Sequence, residues 1–443
     1  MRDLVLALFL FGSIPFILWR PAVGVFLWVW VSVMNPHRLT WDYAYDYQFA
    51  QVIAVATLVG LLFSREPKRP PVTPVTVVLF MMVLWMNVTT FFAIDTAGSL
   101  PMWERVMKIQ FMVFVALYLL HSKQHVQVLI WVVAGSVAFF GIKGGLFTLR
   151  EGGEYRVWGP AGSFIEENNA LALALVMTIP LLQYLQLQAT NRWVRWGLVG
   201  SMVLCGFSAL GSHSRGALLA ITAMLTVFWL KGHNKLVTGL VLVLLVPVAI
   251  GFMPENWEDR MRSIQNYEQD GSAMGRINAW GMAWNLASDR LLGGGFEIYN
   301  LGVFGRYAPD PTHFQGAHSI YFQMLGEHGF IGLGLFLLLW FLVWRDASWI
   351  ARQARSRNEL RWASDLARMI QVSLVGYAVG GAFLNLAYYD VPYYLLIALV
   401  LTRRLVEKEI RSVAQKGGVL MMPQMNAGKA GSQQAVSRTR FEL

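Results

Sequence analysis

The chain has 443 residues, 56% of them apolar and only 14% charged, with a net charge of +10 and a mean hydropathy of +0.47. Soluble domains average about 25% charged residues, so an ordinary soluble globule is excluded and an all-α, polytopic integral membrane protein is indicated. The positive balance then reads as cytoplasmic loops and contact with membrane lipid, and no nucleic-acid partner is expected.

Apolar runs in chain order give candidate spans at 4–19, 23–34, 48–63, 75–94, 108–120, 126–148, 169–185, 197–211, 216–230, 236–253, 319–344, 369–387 and 392–402. Arg20-Pro21 leads from the first run straight into more apolar sequence without a small-residue cleavage site, so no cleavable signal peptide is expected. The single cysteine, Cys205, lies inside a run, which leaves no disulfide framework and no thiolate metal site. Segments 4–19 and 23–34 are each short; one net crossing by the pair gives about 12 spans with both termini cytoplasmic, and two crossings give 13. Four regions follow: a bundle over 1–253, a large loop with helical content over 254–318, further transmembrane helices over 319–405, and a tail over 406–443 expected to be disordered.

Lysine and arginine set the orientation. Arg345 to Arg368 carries six arginines and the tail opens with Arg403, Arg404 and Lys408, which places both inside. The same register puts Arg65/Lys68/Arg69, Lys123, Arg192/Arg195 and Lys231/Lys235 inside, and segments 35–47, 95–107, 150–168 and 254–318 outside. The last is too long and polar for a connector, and loops of that length are usually functional. Helical spacing without proline predicts a helix within it over Gly275–Asp289.

That loop holds five arginines (Arg260, Arg262, Arg276, Arg290, Arg306), eight carboxylates and no lysine. Guanidinium grips phosphate with two parallel hydrogen bonds, so the set suits a lipid diphosphate; pairing with the carboxylates is the plainer account. Arg215 sits in GSHSRGALLA, at the start of a helix whose free N–H groups favour an anion, or else it snorkels to the headgroups. His318 opens the span 319–344, where the helix dipole would keep it neutral and able to accept a proton, unless it only bonds a carbonyl. Glu166-Glu167 beside Asn168-Asn169 could order an acceptor sugar or merely solvate a helix start. His313 and His318 are spaced wrongly for one metal face, no HExxH or outer Asp-x-Asp occurs, and Gly293-Gly294-Gly295 lacks the Lys and Ser/Thr of a phosphate loop. Asp259, Asp270 and Asp310 remain individually possible metal ligands. Charged residues within the spans look nearly absent, which argues against an ion-coupled transporter.

Taken together, the Ser-Arg-Gly turn at Arg215, the Gly275-Arg276-x-x-x-Trp280 stretch, and Ala317-His318-Ser319 ahead of Glu327-x-Gly329-x-x-Gly332 resemble the O-antigen ligase/polymerase superfamily over about residues 200–345. NPHRLTW at 35–41 and SFIEENNALALALVMTIPL at 163–181 resemble the exosortase-associated O-glycosylation ligase branch. The resemblance implies a GT-C-type glycosyltransferase of the bacterial inner membrane with its active site in the periplasm, working as a monomer without metal or nucleotide cofactor. It would move a glycan from undecaprenyl diphosphate to lipid A-core. Arg215 and Arg276 take the places of the family's two arginines and His318 that of its histidine; Arg290 has no counterpart, and its assignment rests on its own chemistry. A polymerase or a protein O-glycosylation ligase on the same donor, and a glycan flippase, are the alternatives.

Overall fold

A lipid interior offers no water to unpaired backbone groups, so a chain this apolar has to satisfy them within helices. The computed structural model describes residues 1–64, 70–231 and 271–420, with scattered positions between 236 and 257, and contains no strand among them. Arg65/Lys68/Arg69, Arg260, Arg262, Asp259, Asp270 and most of the expected span 236–253 lie outside the described residues.

The first helices are α1 (Arg2–Gly12), α2 (Ile14–Trp19), α3 (Pro21–Met34), α4 (Phe49–Phe63), α5 (Pro74–Phe91), α6 (Thr96–Leu119) and α7 (Lys123–Arg150). They continue with α8 (Asn168–Gln188), α9 (Arg192–Leu210), α10 (Arg215–Lys231), α11 (Gly271–Asp289), α12 (Leu301–Tyr307), α13 (Ile320–Ala354), α14 (Arg361–Gly381) and α15 (Asp390–Leu420). Six segments among the described residues are long and apolar enough to cross a bilayer: α1–α2 together, α5, α7, α8, α9 and α13. Every residue from 170 to 178 is buried, so α8 is apolar all round and sits at the centre of the bundle. Against it α7 and α9 approach closely, because Gly141, Gly144 and Gly145 leave room for Cys205, Ser208 and the Leu204 carbonyl. Cys205 is therefore a packing residue.

The N-terminus departs from the single net crossing expected of residues 4–34. The Asp3 carboxylate accepts from the amides of Asp42 (3.1 Å) and Ala44 (3.3 Å), and the Arg2 guanidinium lies 4.6 Å from the Trp41 ring centre. Further along, Phe9 meets Trp30 and Phe11 meets Phe49, while Ile17 reaches Gly24 and Gly60. The α1–α2 pair thus runs antiparallel to α3 along its length, and residue 1 shares a face with loop 35–47. This antiparallel packing is the arrangement expected of the two-crossing alternative. The break at Ser13 lets the 18-residue segment Arg2–Trp19 follow α3 and α4 in two short straight pieces.

Segments expected on one face do collect there. Val157 N–H donates to Gly211 O (3.2 Å), Arg105 Nη2 to Gly162 O (3.2 Å), Ile94 N–H to Gly294 O (2.9 Å) and Ser99 Oγ to Phe296 O (2.7 Å). At the opposite face, Asp346 bonds Arg403 and lies 3.7 Å from Arg345, and Lys123 sits 5.2 Å from the Trp362 ring centre. Of the tail expected to be disordered over 406–443, the part to Leu420 continues α15, helped by an Arg403–Glu407 pair at i,i+4 (2.9 Å), and the rest lies outside the described residues. A cysteine appended before Met1 and one replacing exposed Tyr43, both in a Cys205→Ser background, should react with an impermeant maleimide from the same side of the membrane. Labelling from opposite sides would restore the single crossing.

Candidate functional site

Helix α10 begins at a turn whose polar groups are all engaged. Ser214 Oγ accepts from the Ala217 amide (3.1 Å) as the helix cap, and Ser212 Oγ donates to Ala209 O (2.6 Å). His213 takes a left-handed φ of 55°, which carries its Nε2 to within 2.8 Å of Gly153 O. Asn168 Nδ2 donates to Ser212 O (2.6 Å), tying the start of α8 to the turn. Arg215 is the first residue of α10 and is half-buried, beside a Gly216 that packs on Phe383.

The expected helix over Gly275–Asp289 exists as α11, one turn longer at its start. Gly275 lets the Gln315 amide approach the helix backbone. Trp280, five residues on, stacks on Phe322 at 4.9 Å and 5°, and its Nε1 donates to Ala317 O (2.7 Å). Between these anchors α11 holds Arg276 beside the residue that follows Ala317, which is His318. Here the Gly-Arg-x-x-x-Trp pattern has a local physical meaning.

His318 precedes Ser319, the N-cap position of α13, and adopts φ 43°, uncommon for a residue with a side chain. Burial depresses its pKa below 6.5, the Arg276 charge depresses it further, and Glu167 opposes both. The expected direction holds, but burial and a neighbouring cation are the causes in place of the helix dipole. Neutral imidazole at pH 7 can accept a proton. Asn385 lies beside Gly316 next to His318, with its Oδ1 buried and without a hydrogen-bond partner. The charges of Arg276 and Glu167 thus reach His318, and the turn before Arg215 is tied by Asn168, the residue after Glu167, to the start of α8.

Arg290 stands apart. It lies 14 positions after Arg276 at the far end of α11, about 20 Å along the helix at about 1.5 Å per residue. Its guanidinium donates to Gly293 O (3.2 Å) and Phe92 O (2.9 Å), so it fastens the helix end to the loop after α5.

The expectation that spans lack buried charge does not hold at Glu327 and His328, both buried in α13. Tyr388 Oη donates to Glu327 and lies 2.7 Å from His328 Nε2; His328 Nδ1 lies 2.7 Å from Thr89 Oγ1. The carbonyls of Gly326, Glu327 and His328 receive Gly294 N–H (2.9 Å), Gly295 N–H (2.9 Å) and Trp85 Nε1–H (2.8 Å). These contacts dock the triple glycine against a break at Gly329, whose φ 68°, ψ −173° is open only to glycine. Sequence reasoning passed over this network although GEHG inside an apolar run was its signal. Glu167 had a signal in the Glu-Glu-Asn-Asn run; Asn385 had none.

Residues 200–337 match the family model described as O-antigen ligase, and residues 1–190 match one described as a family of unknown function (DUF5935). No curated protein matches the chain. Arg215, Arg276 and His318 all lie in the first matched segment, Glu167 in the second, and Asn385 in neither.

Gly329→Ala should destabilise the protein by about 1–3 kcal/mol, because a Cβ there meets the Leu291 carbonyl in a backbone conformation reserved for glycine. Gly334→Ala, where the added methyl meets nothing, should be neutral or slightly stabilising. Thermal unfolding in detergent compares the two, and equal melting temperatures would contradict the docking described.

Proposed function

This chain belongs, through residues 200–337, to the O-antigen ligase family, and we propose that it transfers a glycan from undecaprenyl diphosphate to lipid A-core at the periplasmic face of the bacterial inner membrane. The reading is a GT-C-type enzyme of 13 spans, once the N-terminal pair counts as two crossings. One observation supports it: Trp280 of α11 bonds Ala317 O, which brings that helix to the buried His318, on which the charges of Arg276 and Glu167 act. A lipid-borne donor and an acceptor from outside would have to meet at such a place.

In this reaction His318 takes the proton of the acceptor hydroxyl as that oxygen attacks the anomeric carbon. The bond from that carbon to the diphosphate oxygen breaks, its electron pair leaves with the diphosphate, and the anomeric centre inverts. Arg215 and Arg276 hold the diphosphate and neutralise the charge it gains. No metal or nucleotide takes part. Arg290, occupied with carbonyls, contributes by fixing the end of α11 and contacts no diphosphate.

Purified protein with lipid-linked O-antigen and lipid A-core, in EDTA, should glycosylate the core. A ladder confined to undecaprenol would instead mean a polymerase, transfer only to protein a protein O-glycosylation ligase, and passage across vesicles without transfer a flippase. His318→Ala should lower the transfer rate about 10²-fold or more while donor binding persists. Arg215→Lys should lose about 10- to 100-fold if a bidentate phosphate contact is broken, and stay near normal if the residue only snorkels.

The pH profile offers a separate check. Protonated His318 cannot act as base, so activity should fall on the acid side with a midpoint below 6.5. Glu167→Gln removes the charge that favours imidazolium and should move that limb to lower pH; Arg276→Gln removes the opposing charge and should move it to higher pH. A limb that ignores both changes would detach His318 from the chemistry.

A further inference from the structure

A second site lies on the same face, outside the arginine–histidine cluster. Loop 35–48, α6, loop 162–165 and the start of α15 enclose a cavity of about 400 Å³, within the roughly 300–1,000 Å³ typical of small-molecule sites. Arg105 of α6 lines it with its guanidinium 3.8 Å from the Phe164 ring centre. Its one hydrogen bond among the described residues runs from Nη2 to Gly162 O (3.2 Å), and the charges of Asp390 and Glu297 act on it without an ion pair within 4 Å there. A half-buried guanidinium has five N–H donors, so most of them remain for a ligand.

The other cations nearby are already matched. Lys108 pairs with Glu104 at 2.6 Å and Arg38 with Asp46 at 3.0 Å. Burial lowers the His37 pKa to about 4, so its imidazole is neutral, and its buried Nδ1 has no hydrogen-bond partner. A diphosphate would call for several unmatched cations; this cavity offers one. In its remaining polar lining Glu104 and Asp390 accept hydrogen bonds, Asn35, Gln48 and Ser163 can donate or accept, and Phe164 and Tyr389 supply aromatic faces. Hydroxyls, one negative charge and an apolar ring face describe an acidic sugar.

We propose that this cavity binds an acidic saccharide, its single carboxylate or phosphate on Arg105 and its hydroxyls on the carboxylates and His37. The cavity touches the cluster through shared segments. Phe164 lines it three residues before Glu167, and Tyr389 lines it four residues after Asn385. Resting on the transfer reading, the bound sugar belongs to the acceptor, held so that a neighbouring hydroxyl reaches His318.

Titration calorimetry on the full-length protein in detergent, with trigalacturonate as probe, tests the binding. Trigalacturonate should bind about tenfold or more tightly than uncharged maltotriose, and Arg105→Gln should weaken it about tenfold or more, while exposed Arg306→Gln leaves it unchanged. Equal binding of maltotriose, equal binding by Arg105→Gln, or full displacement by inorganic phosphate at matched concentration overturns the proposal. Periodate-oxidised trigalacturonate coupled reductively to the unmutated protein should label Lys108, with protection by the unoxidised sugar; labelling elsewhere alone overturns it whatever becomes of the variant's folding. Saccharide binding without any transfer would retain the cavity and remove its acceptor role. Transfer by Arg105→Gln with unchanged KM for acceptor would remove that role too.

Discussion

A helix broken inside a membrane must find new partners for the carbonyls it frees, since no water is there to take them. At Gly329 the chain makes that break, and the three preceding carbonyls are met by Gly294, Gly295 and Trp85. Two of those donors come from the glycine run that follows α11, and the third from α5. The break therefore clamps two parts of the chain to α13 within one helical turn. Arg290 closes the clamp by holding Gly293 O and Phe92 O. The docking fixes the C-terminal end of α11, whose other end carries Arg276.

Much of the architecture was legible in the sequence because it follows from composition and charge. Arginine-rich segments and long apolar runs establish which loops share a face, and helical spacing finds α11. The N-terminal crossing was hidden because its determinant is a contact between Asp3 and amides of the next loop, remote in sequence. The local pattern singles out Arg276 and His318 as candidates, but the contacts behind it, Gly275 against Gln315 and Trp280 on Ala317 O, belong to the fold. Arg290 misleads for the opposite reason. An arginine near a diphosphate and an arginine on backbone carbonyls have identical neighbours in sequence, and only the length of α11 separates them.

The site is also shared between parts of the chain that resemble different families. The O-antigen ligase segment contributes Arg215, Arg276 and His318, and the N-terminal segment contributes Glu167 and Asn168. Asn168 bonds Ser212 O, so the two segments meet through a direct hydrogen bond at the turn that starts α10. The strap over 382–389 completes the enclosure, with Tyr388 anchored below on Glu327 and His328 and Asn385 left at the level of His318. Tyr388, Glu327, His328 and Thr89 satisfy one another, which is the condition under which a buried network stiffens a structure, whereas Asn385 Oδ1 and the Tyr389 hydroxyl are buried without a partner.

Electrostatic balance around His318 is the last consequence. A base in a dry site beside a cation is held neutral, which favours proton acceptance at pH 7 but opposes the imidazolium formed in the step itself. In the proposed transfer Glu167 would supply the countercharge for that imidazolium, and Arg276 would turn from hindrance to help once an anionic diphosphate lies against it. Before the donor arrives, the cation keeps the imidazole unprotonated and ready. With a donor in place the cation is neutralised, and the carboxylate then dominates the field that the histidine feels. The same two charges thus serve readiness and turnover in sequence, and the substrate's own charge makes the exchange.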